Sequence, residues 1–322
     1  MMENESQKHI TQELVELELS LKQSISSDIE LATEVSSYIV KSGGKRIRPT
    51  ITILIAKALG YRGKELINLA TAIELLHTAT LIHDDVVDQS EIRRGKASIH
   101  KRWDNAHGVL VGDFVYSKAF QLMASLKDKK IIQTLADSTN KISEGEVLQL
   151  KLQGHKGLEE KDYFEIIGRK TAELFKASAH TGALIAKSNK TLLKLSCEFA
   201  YSLGIAYQLR DDLLDYSGNK EKTGKIIGKD FLEGKMTLPL IKALELSNEV
   251  NLKIIKDSFK TKSKEKLNEV IHIINKSGAI KEVENISNEY SSNCLKLLNK
   301  FPKNAYKESL EALVLSLKER AK

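Results

Sequence analysis

Proline is almost missing from this chain. Three prolines in 322 residues, against a typical share of about 5%, leave few places where a helical hydrogen bond is lost or a turn is preset. Long, uninterrupted helices are what such a sequence permits, and its apolar residues recur at the matching spacing. Leu14, Leu17, Leu21 and Ile25 mark one helix, Leu69, Ile73, Leu76 and Leu81 a second, and Val111, Val115, Phe120 and Met123 a third. No alternating run of useful strand length is present. Pro49, Pro239 and Pro302 fall near expected helix boundaries. The segments KSGGKRIRP, DQSEIRRGKASIH, LQGHKG, YSGNKEKTGKIIGKD and NKSGAI interrupt the pattern, and each is short enough to join two helices. One all-α domain over residues 1–322 is predicted.

Several function classes drop out on composition. The net charge of +7 suggests nucleic acid until its placement is examined: residues 1 to 216 carry 29 basic and 29 acidic side chains, residues 217 to 322 carry 21 and 14. The excess is scattered through helical sequence such as KIIKDSFKTKSKEK, with acidic and apolar residues interleaved, and reads as a solvated face rather than a nucleic-acid surface. Two cysteines, Cys197 and Cys294, make no disulfide framework. No signal peptide is visible behind Glu3, Glu5 and Glu13, and the apolar stretch from Leu66 to Ile82 contains Glu74 and His77 and falls short of a span of about 18 residues. A cytoplasmic protein is expected.

The chemistry-bearing feature is an acidic pentad that occurs twice. DDVVD supplies Asp84, Asp85 and Asp88 after one apolar helix; DDLLD supplies Asp211, Asp212 and Asp215 after another. In a helix, first and last aspartates at i and i+4 share a face and repel. A hard cation held by oxygen alone, such as Mg²⁺, relieves that repulsion, and because Mg²⁺ keeps only one or two protein carboxylates and fills its shell with water and phosphate oxygens, two pentads point to a diphosphate. One pentad could equally be a solvated helix end; two argue against that.

Compact basic clusters supply the other half. GGKRIRP places Lys45, Arg46 and Arg48 just before a helix, RRG places Arg93 and Arg94 after the first pentad, Lys170 lies in GRKTAELF, and Lys225 and Lys235 flank Asp230. Each alone reads as surface. With the pentads they read as a diphosphate clamp.

The ordered segments GGKRIRP, LIHDDVVDQSEIRRG, GDFVYSKAF, EGEVLQL, GRKTAELF, YQLRDDLLDY and GKD…EGK resemble the signature of trans-polyprenyl diphosphate synthases over residues 43 to 240 or so. Both aspartate motifs stand in the plain form, without the insertion found in the first motif of many bacterial short-chain synthases. The segments HTATLIHDDVVD, LVGDFVYSKAFQLM and EGEVLQL are similar to those of the bacterial octaprenyl type.

That resemblance implies a single polyprenyl synthase domain with the isoprenoid synthase fold, a bundle of long helices around a central cavity. It implies that Asp84, Asp85, Asp88, Asp211 and Asp215 hold about three Mg²⁺ ions that grip an allylic diphosphate, with Arg93, Lys170, Lys225 and Lys235 on its oxygens. Isopentenyl diphosphate would be bound by Lys45, Arg48, His77 and Arg94. Lys170, Thr171 and Gln208 would face the allylic cation. His77 alone on an apolar helix reads as packed core; its place two turns before Asp84 favours the site.

The resemblance also implies a ruler for product length one and two turns above the first pentad. Short-chain members tend to carry aromatics four or five positions before the first aspartate; here those positions are Thr80 and Ala79. Leu76, Phe120 and Met123 are then candidates for the pocket floor, or plain core. An octaprenyl product of about C40, for quinone side chains, is expected. The alternatives are a shorter product of about C20 to C35 or a non-catalytic subunit of a heteromeric synthase. Homodimerisation, and a membrane prenyltransferase that takes up the product, follow from the same resemblance.

Overall fold

The computed structural model describes residues 2–154, 159–217 and 227–319, and helices dominate them. In chain order these are α1 (Met2–Gln7), a 3₁₀ turn (Lys8–Ile10), α2 (Thr11–Ser24), α3 (Glu30–Lys41), α4 (Ile47–Ala58), α5 (Glu65–Val87), α6 (Ile99–Arg102), α7 (Asn105–Ala124), α8 (Lys129–Leu152), α9 (Glu160–Ile167), a π-helical turn (Gly168–Ala172), α10 (Glu173–Ile185) and α11 (Lys190–Ser217). Beyond the second pentad follow α12 (Lys229–Glu233), α13 (Leu238–Leu246), α14 (Glu249–Thr261), α15 (Leu267–Lys276), α16 (Ala279–Leu298) and α17 (Ala305–Glu319). The prolines sit where a missing N–H costs least: Pro49 and Pro239 lie in the first turns of α4 and α13, and Pro302 lies in the link before α17.

One short hairpin stands among the helices. Among the described residues, Ile92–Arg93 (β1) and Lys96–Ala97 (β2) pair antiparallel, Ile92 opposite Ala97 and Arg93 opposite Lys96. The two turn residues, Arg94 (φ 53°) and Gly95 (φ 76°), are both left-handed, as a tight primed hairpin turn demands. Strands of two residues carry no readable period, so RRG looked like a plain loop.

The chain forms two compact units, each drawn from separated stretches. The first comprises Met1–Thr139, Leu174–Cys197 and Lys300–Ala312. Its core helix is α5, which packs on α2, α4 and α7. Leu69, Ala70, Ala72, Ile73, Leu75, Leu76, Ala79 and Ile82 are all buried, so the helix is apolar nearly all round. By length and composition α5 could cross a membrane, yet most of it is buried within the protein, and its apolarity is that of a core helix. On α7 the buried line runs Val111, Val115, Ala119, Met123. Phe120 stands one position off that line and is 41% exposed, its ring edge-on to Tyr116 at 4.8 Å, which corrects its reading as pocket floor or plain core.

The second unit comprises Asn140–Glu173, Glu198–Asn299 and Leu313–Lys322. One cluster joins Tyr163, Ile167, Ile205, Leu209, Leu213, Leu238, Ile241 and Val283; a second joins Tyr216, Phe231, Leu240, Ile255, Phe259, Val270 and Ile274. Lys242 of α13 is nearly enclosed and meets Glu160 at 2.7 Å, Glu245 at 2.9 Å and Glu282 at 3.2 Å, tying α9, α13 and α16 together.

Candidate active site

Both pentads divide in the same way. Asp85 and Asp212 are buried, 2% and 3% exposed, while Asp84, Asp88, Asp211 and Asp215 are only half-buried. Helical geometry explains the division. Asp85 continues the buried line of Thr78 and Ile82, and Asp212 lies on the line of Leu209, Leu213 and Tyr216, whereas the first and last aspartates, one turn apart, lie on the adjoining, more open flank.

In the first unit, Asp85 binds Arg93, whose Nε donates at 2.9 Å and Nη2 at 2.5 Å to Oδ1. The hairpin that follows the pentad thus aims its first arginine inward. Asp84 and Asp88 remain at the C-terminal end of α5, where the helix dipole is already negative and carboxylates are disfavoured without a cation. Among the described residues no three carboxylate, histidine or cysteine side chains close on one point. The donor set is nevertheless all oxygen and partly open, which fits a hard divalent ion that retains water and borrows substrate oxygens.

The GGKRIRP loop separates its two arginines. Arg46, left-handed at φ 47°, is buried and donates to Glu74 at 2.8 Å, to Glu18 at 2.7 Å and to the Val40 carbonyl at 3.1 Å. It therefore neutralises Glu74 beneath the loop, correcting its reading as one of the anion-facing cations. Arg48 lies with its guanidinium 4.8 Å from the Phe175 ring centroid and donates from Nη1 to Nε2 of His77 at 2.9 Å. Arginine has no acceptor, so that nitrogen carries the lone pair and His77 is the neutral Nδ1–H tautomer. Desolvation, then Arg48, Arg94, Arg93 and Arg46, hold the His77 imidazole well below its ordinary range. Arg94 packs on the loop itself: a Cβ on Gly44, whose φ is +154°, would stand 2.8 Å from its guanidinium nitrogens. Arg48, His77 and Arg94 thus lie near one another, with exposed Lys45 beside Arg46 in sequence.

Leu76 and Ala79 are fully buried in α5, Met123 is fully buried in α7, and half-buried Thr80 donates to the His77 carbonyl at 2.8 Å.

In the second unit, Lys170 and Thr171 sit in the π-helical turn, an irregularity that often marks functional positions. Gly145 of α8 makes room for it, since a Cβ there would stand 2.8 Å from Arg169 Cβ and 3.0 Å from the Lys170 backbone nitrogen. Lys170 Nζ meets Glu146 at 2.6 Å. Thr171 Oγ1 donates to Gln208 Oε1 at 2.8 Å, Gln208 Nε2 donates to Asp212 Oδ1 at 2.8 Å, and the Tyr163 hydroxyl donates to Asp212 Oδ2 at 2.5 Å. Burial, then Asp230, push the Asp212 carboxyl well above the usual carboxylate range, opposed by its two donors.

Asp215 accepts from the backbone N–H groups of Lys229 at 3.2 Å and Asp230 at 3.0 Å, fastening the start of α12 to the pentad. Burial lifts the Asp230 carboxyl to about 6, with Lys235 opposing and Asp211 adding to the rise. Lys235 itself pairs with Glu233 at 2.9 Å. Lys225 lies outside the described residues.

Glu146, Tyr163 and Asp230 were missed by sequence reasoning. EGEVLQL and GKD flagged two of them as motif members; nothing flagged Tyr163, whose role depends on a partner 49 positions away.

The polyprenyl synthetase family model matches residues 29–276. The chain is 38% identical over 311 residues to the octaprenyl diphosphate synthase of Haemophilus influenzae, covering 96% of this chain and 94% of that protein. It is 37% identical over 302 residues to the geranyl-diphosphate-specific all-trans-nonaprenyl-diphosphate synthase of Rhodobacter capsulatus, covering 94% and 93%. The crystal structure of polyprenyl synthase from Caulobacter crescentus, complexed with calcium and isoprenyl diphosphate, superposes with a TM-score of 0.95 at 34% identity over 99% of this chain and 98% of that one. With matches of this extent the helices are those of the isoprenoid synthase fold, and the chain belongs to the polyprenyl synthetase family, as a prenyltransferase of trans-prenyl diphosphate chain elongation.

Proposed function

We propose that the protein condenses isopentenyl diphosphate with an allylic diphosphate, farnesyl diphosphate in the first instance, to give an all-trans octaprenyl diphosphate. The observation that carries this reading is the state of His77. Its Nε2 accepts from Arg48 at 2.9 Å while Arg94 packs on Gly44 of the same loop, a gathering of guanidinium donors of the kind that a diphosphate anion requires.

Lys45, Arg48, His77 and Arg94 bind the isopentenyl diphosphate, with His77 orienting Arg48 through its Nε2. Arg93, Lys170, Lys225 and Lys235 bind oxygens of the allylic diphosphate. Mg²⁺, about three ions, held by Asp84, Asp85, Asp88, Asp211 and Asp215, supplies charge neutralisation for the departing pyrophosphate. The C1–O bond of the allylic substrate breaks, the C4 double bond of isopentenyl diphosphate attacks C1, and the proton lost from C2 goes to a pyrophosphate oxygen. Thr171 and Gln208, with the Lys170 backbone, present oxygen dipoles to the cation.

Small Ala79 and Thr80 leave the tail a way past the first pentad, and Leu76 and Met123 limit it further on. Octaprenyl length rests on the likeness to octaprenyl synthases; the similar nonaprenyl synthase, specific for geranyl diphosphate, keeps a longer product and a shorter primer as the second reading. The chain works as a cytoplasmic homodimer, to which the exposed Val109, Leu110 and Phe120 of α7 lend an apolar face, and its product goes to a membrane prenyltransferase for quinone synthesis.

Purified protein with farnesyl and isopentenyl diphosphates and Mg²⁺ should release pyrophosphate and an elongated product, sized by reversed-phase chromatography after dephosphorylation. No elongation under those conditions overturns the reading.

A further inference from the structure

A carbocation is stabilised by lone pairs and opposed by O–H hydrogens, so the orientation of a nearby hydroxyl matters as much as its position. Thr171 has one hydrogen to dispose of. It is spent on Gln208 Oε1, the Gln208 amide N–H is spent on Asp212 Oδ1, and the Tyr163 hydroxyl closes the other side of the same carboxyl. The hydrogen bonds from Thr171 and Gln208 run one way and end on a side chain that is itself 3% exposed.

We propose that Asp212 is a positioning residue for prenyl transfer: acting through the Gln208 amide, it commits the Thr171 hydrogen to Gln208 and leaves the Thr171 lone pairs to the allylic cation. This rests on the role given above to Thr171. The amide is the switch. An Asp212 oxygen that accepts must face the NH₂ end of Gln208, which turns the carbonyl end to Thr171. An asparagine at 212 can instead offer its own NH₂, letting Gln208 turn over and donate to Thr171, whose hydrogen is then released toward the cation. Asp212 is buried against Gln208 and Tyr163, while Asp211 and Asp215 on the adjoining flank of α11 are half-buried, which separates its task from theirs.

Asp212→Asn is expected to lower kcat about 10- to 100-fold, with KM for both diphosphates and the Mg²⁺ requirement within about twofold of wild type. Placed on a Thr171→Val background it should cost nothing more, because the group it acts through is gone. A binding measurement without turnover separates the layers: an allylic analogue carrying a protonated amine at the cation position is compared with a neutral isostere of equal length. Wild type should prefer the ammonium compound, and Asp212→Asn should lose about tenfold of that preference. If wild type shows no preference, the cation-facing role of Thr171 fails, and this inference with it. If wild type shows one and Asp212→Asn keeps it, the inference alone is overturned. An increased Mg²⁺ requirement with intact preference, or an independent loss on the Thr171→Val background, also overturns it. Should Asp212→Asn not fold, Asp212→Glu, which keeps a carboxylate acceptor for the Gln208 amide, is read by the same measurement and should keep the preference; its loss there overturns the inference.

Discussion

The Arg48 guanidinium donates to Nε2 of His77 across 2.9 Å, so the histidine beside this basic loop is an acceptor rather than a cation. Its pKa in the folded chain lies well below the ordinary value near 6.5, for reasons of burial first and neighbouring arginines second. Below pH 6.5 the unfolded chain therefore binds a proton that the folded chain refuses, and stability must fall as pH drops from 6.5 toward the folded value. His77→Gln removes that titration while keeping an acceptor for Arg48. Thermal melts from pH 8 to pH 5 should show wild type losing stability more steeply than His77→Gln below about pH 6.5; parallel curves would mean that His77 titrates normally.

Arg46 and Arg48 stand two residues apart and should behave oppositely. Arg46 is 7% and Glu74 3% exposed at the side chain, so Arg46→Ala leaves a buried carboxylate without its partner, a change that typically costs about 3–5 kcal/mol. Arg48→Ala should leave stability within about 1 kcal/mol and raise KM for isopentenyl diphosphate by tenfold or more. Urea unfolding and initial rates on both variants check the pair. Equal loss of stability would restore the reading of Arg46 and Arg48 as equivalent cations.

These two arginines also mark where legibility in the sequence stops. The core of the first unit could be read directly, because α5 is apolar nearly all round over 23 positions, with Glu74 the one charged residue between its first turn and the pentad. The pentads were equally plain, and the burial of Asp212 was latent in the stripe Leu209, Leu213, Tyr216, had the aspartate been laid on that helical face. Arg46 was different: its inward turn depends on a left-handed backbone and on Glu18 and Glu74, 28 positions away on either side. The hairpin at Arg93–Lys96 and the π-turn at Lys170 are likewise set by tertiary contacts and leave no periodic trace.

Gly145 gives a case where a better helix former should do harm. Alanine is intrinsically favoured over glycine inside a helix by about 1 kcal/mol. Here its methyl would meet Arg169 Cβ at 2.8 Å and the Lys170 backbone at 3.0 Å, so the π-turn that carries Lys170 and Thr171 must shift. Gly145→Ala should lower kcat about tenfold or more, with no gain in melting temperature. A more stable variant of unchanged kcat would show that the close approach is relieved without moving the turn.

Product length offers the sharpest test of the apolar positions, because substitutions on α5 and α7 predict opposite shifts. Thr80 is half-buried one turn before Asp84, so Thr80→Phe can be accommodated without replacing a core side chain, and its ring should stop the tail early. Met123 is 1% exposed, and its truncation opens space at an expected stability loss of about 2–5 kcal/mol. With the wild-type chain length as reference, Thr80→Phe should shorten the product by several isoprene units and Met123→Ala should lengthen it. Phe120→Ala should leave length unchanged, because that ring is 41% exposed and off the buried line of α7; a longer product would make Phe120 part of the floor. If none of the three variants shifts the chromatographic distribution, the residues are core packing and the ruler lies elsewhere.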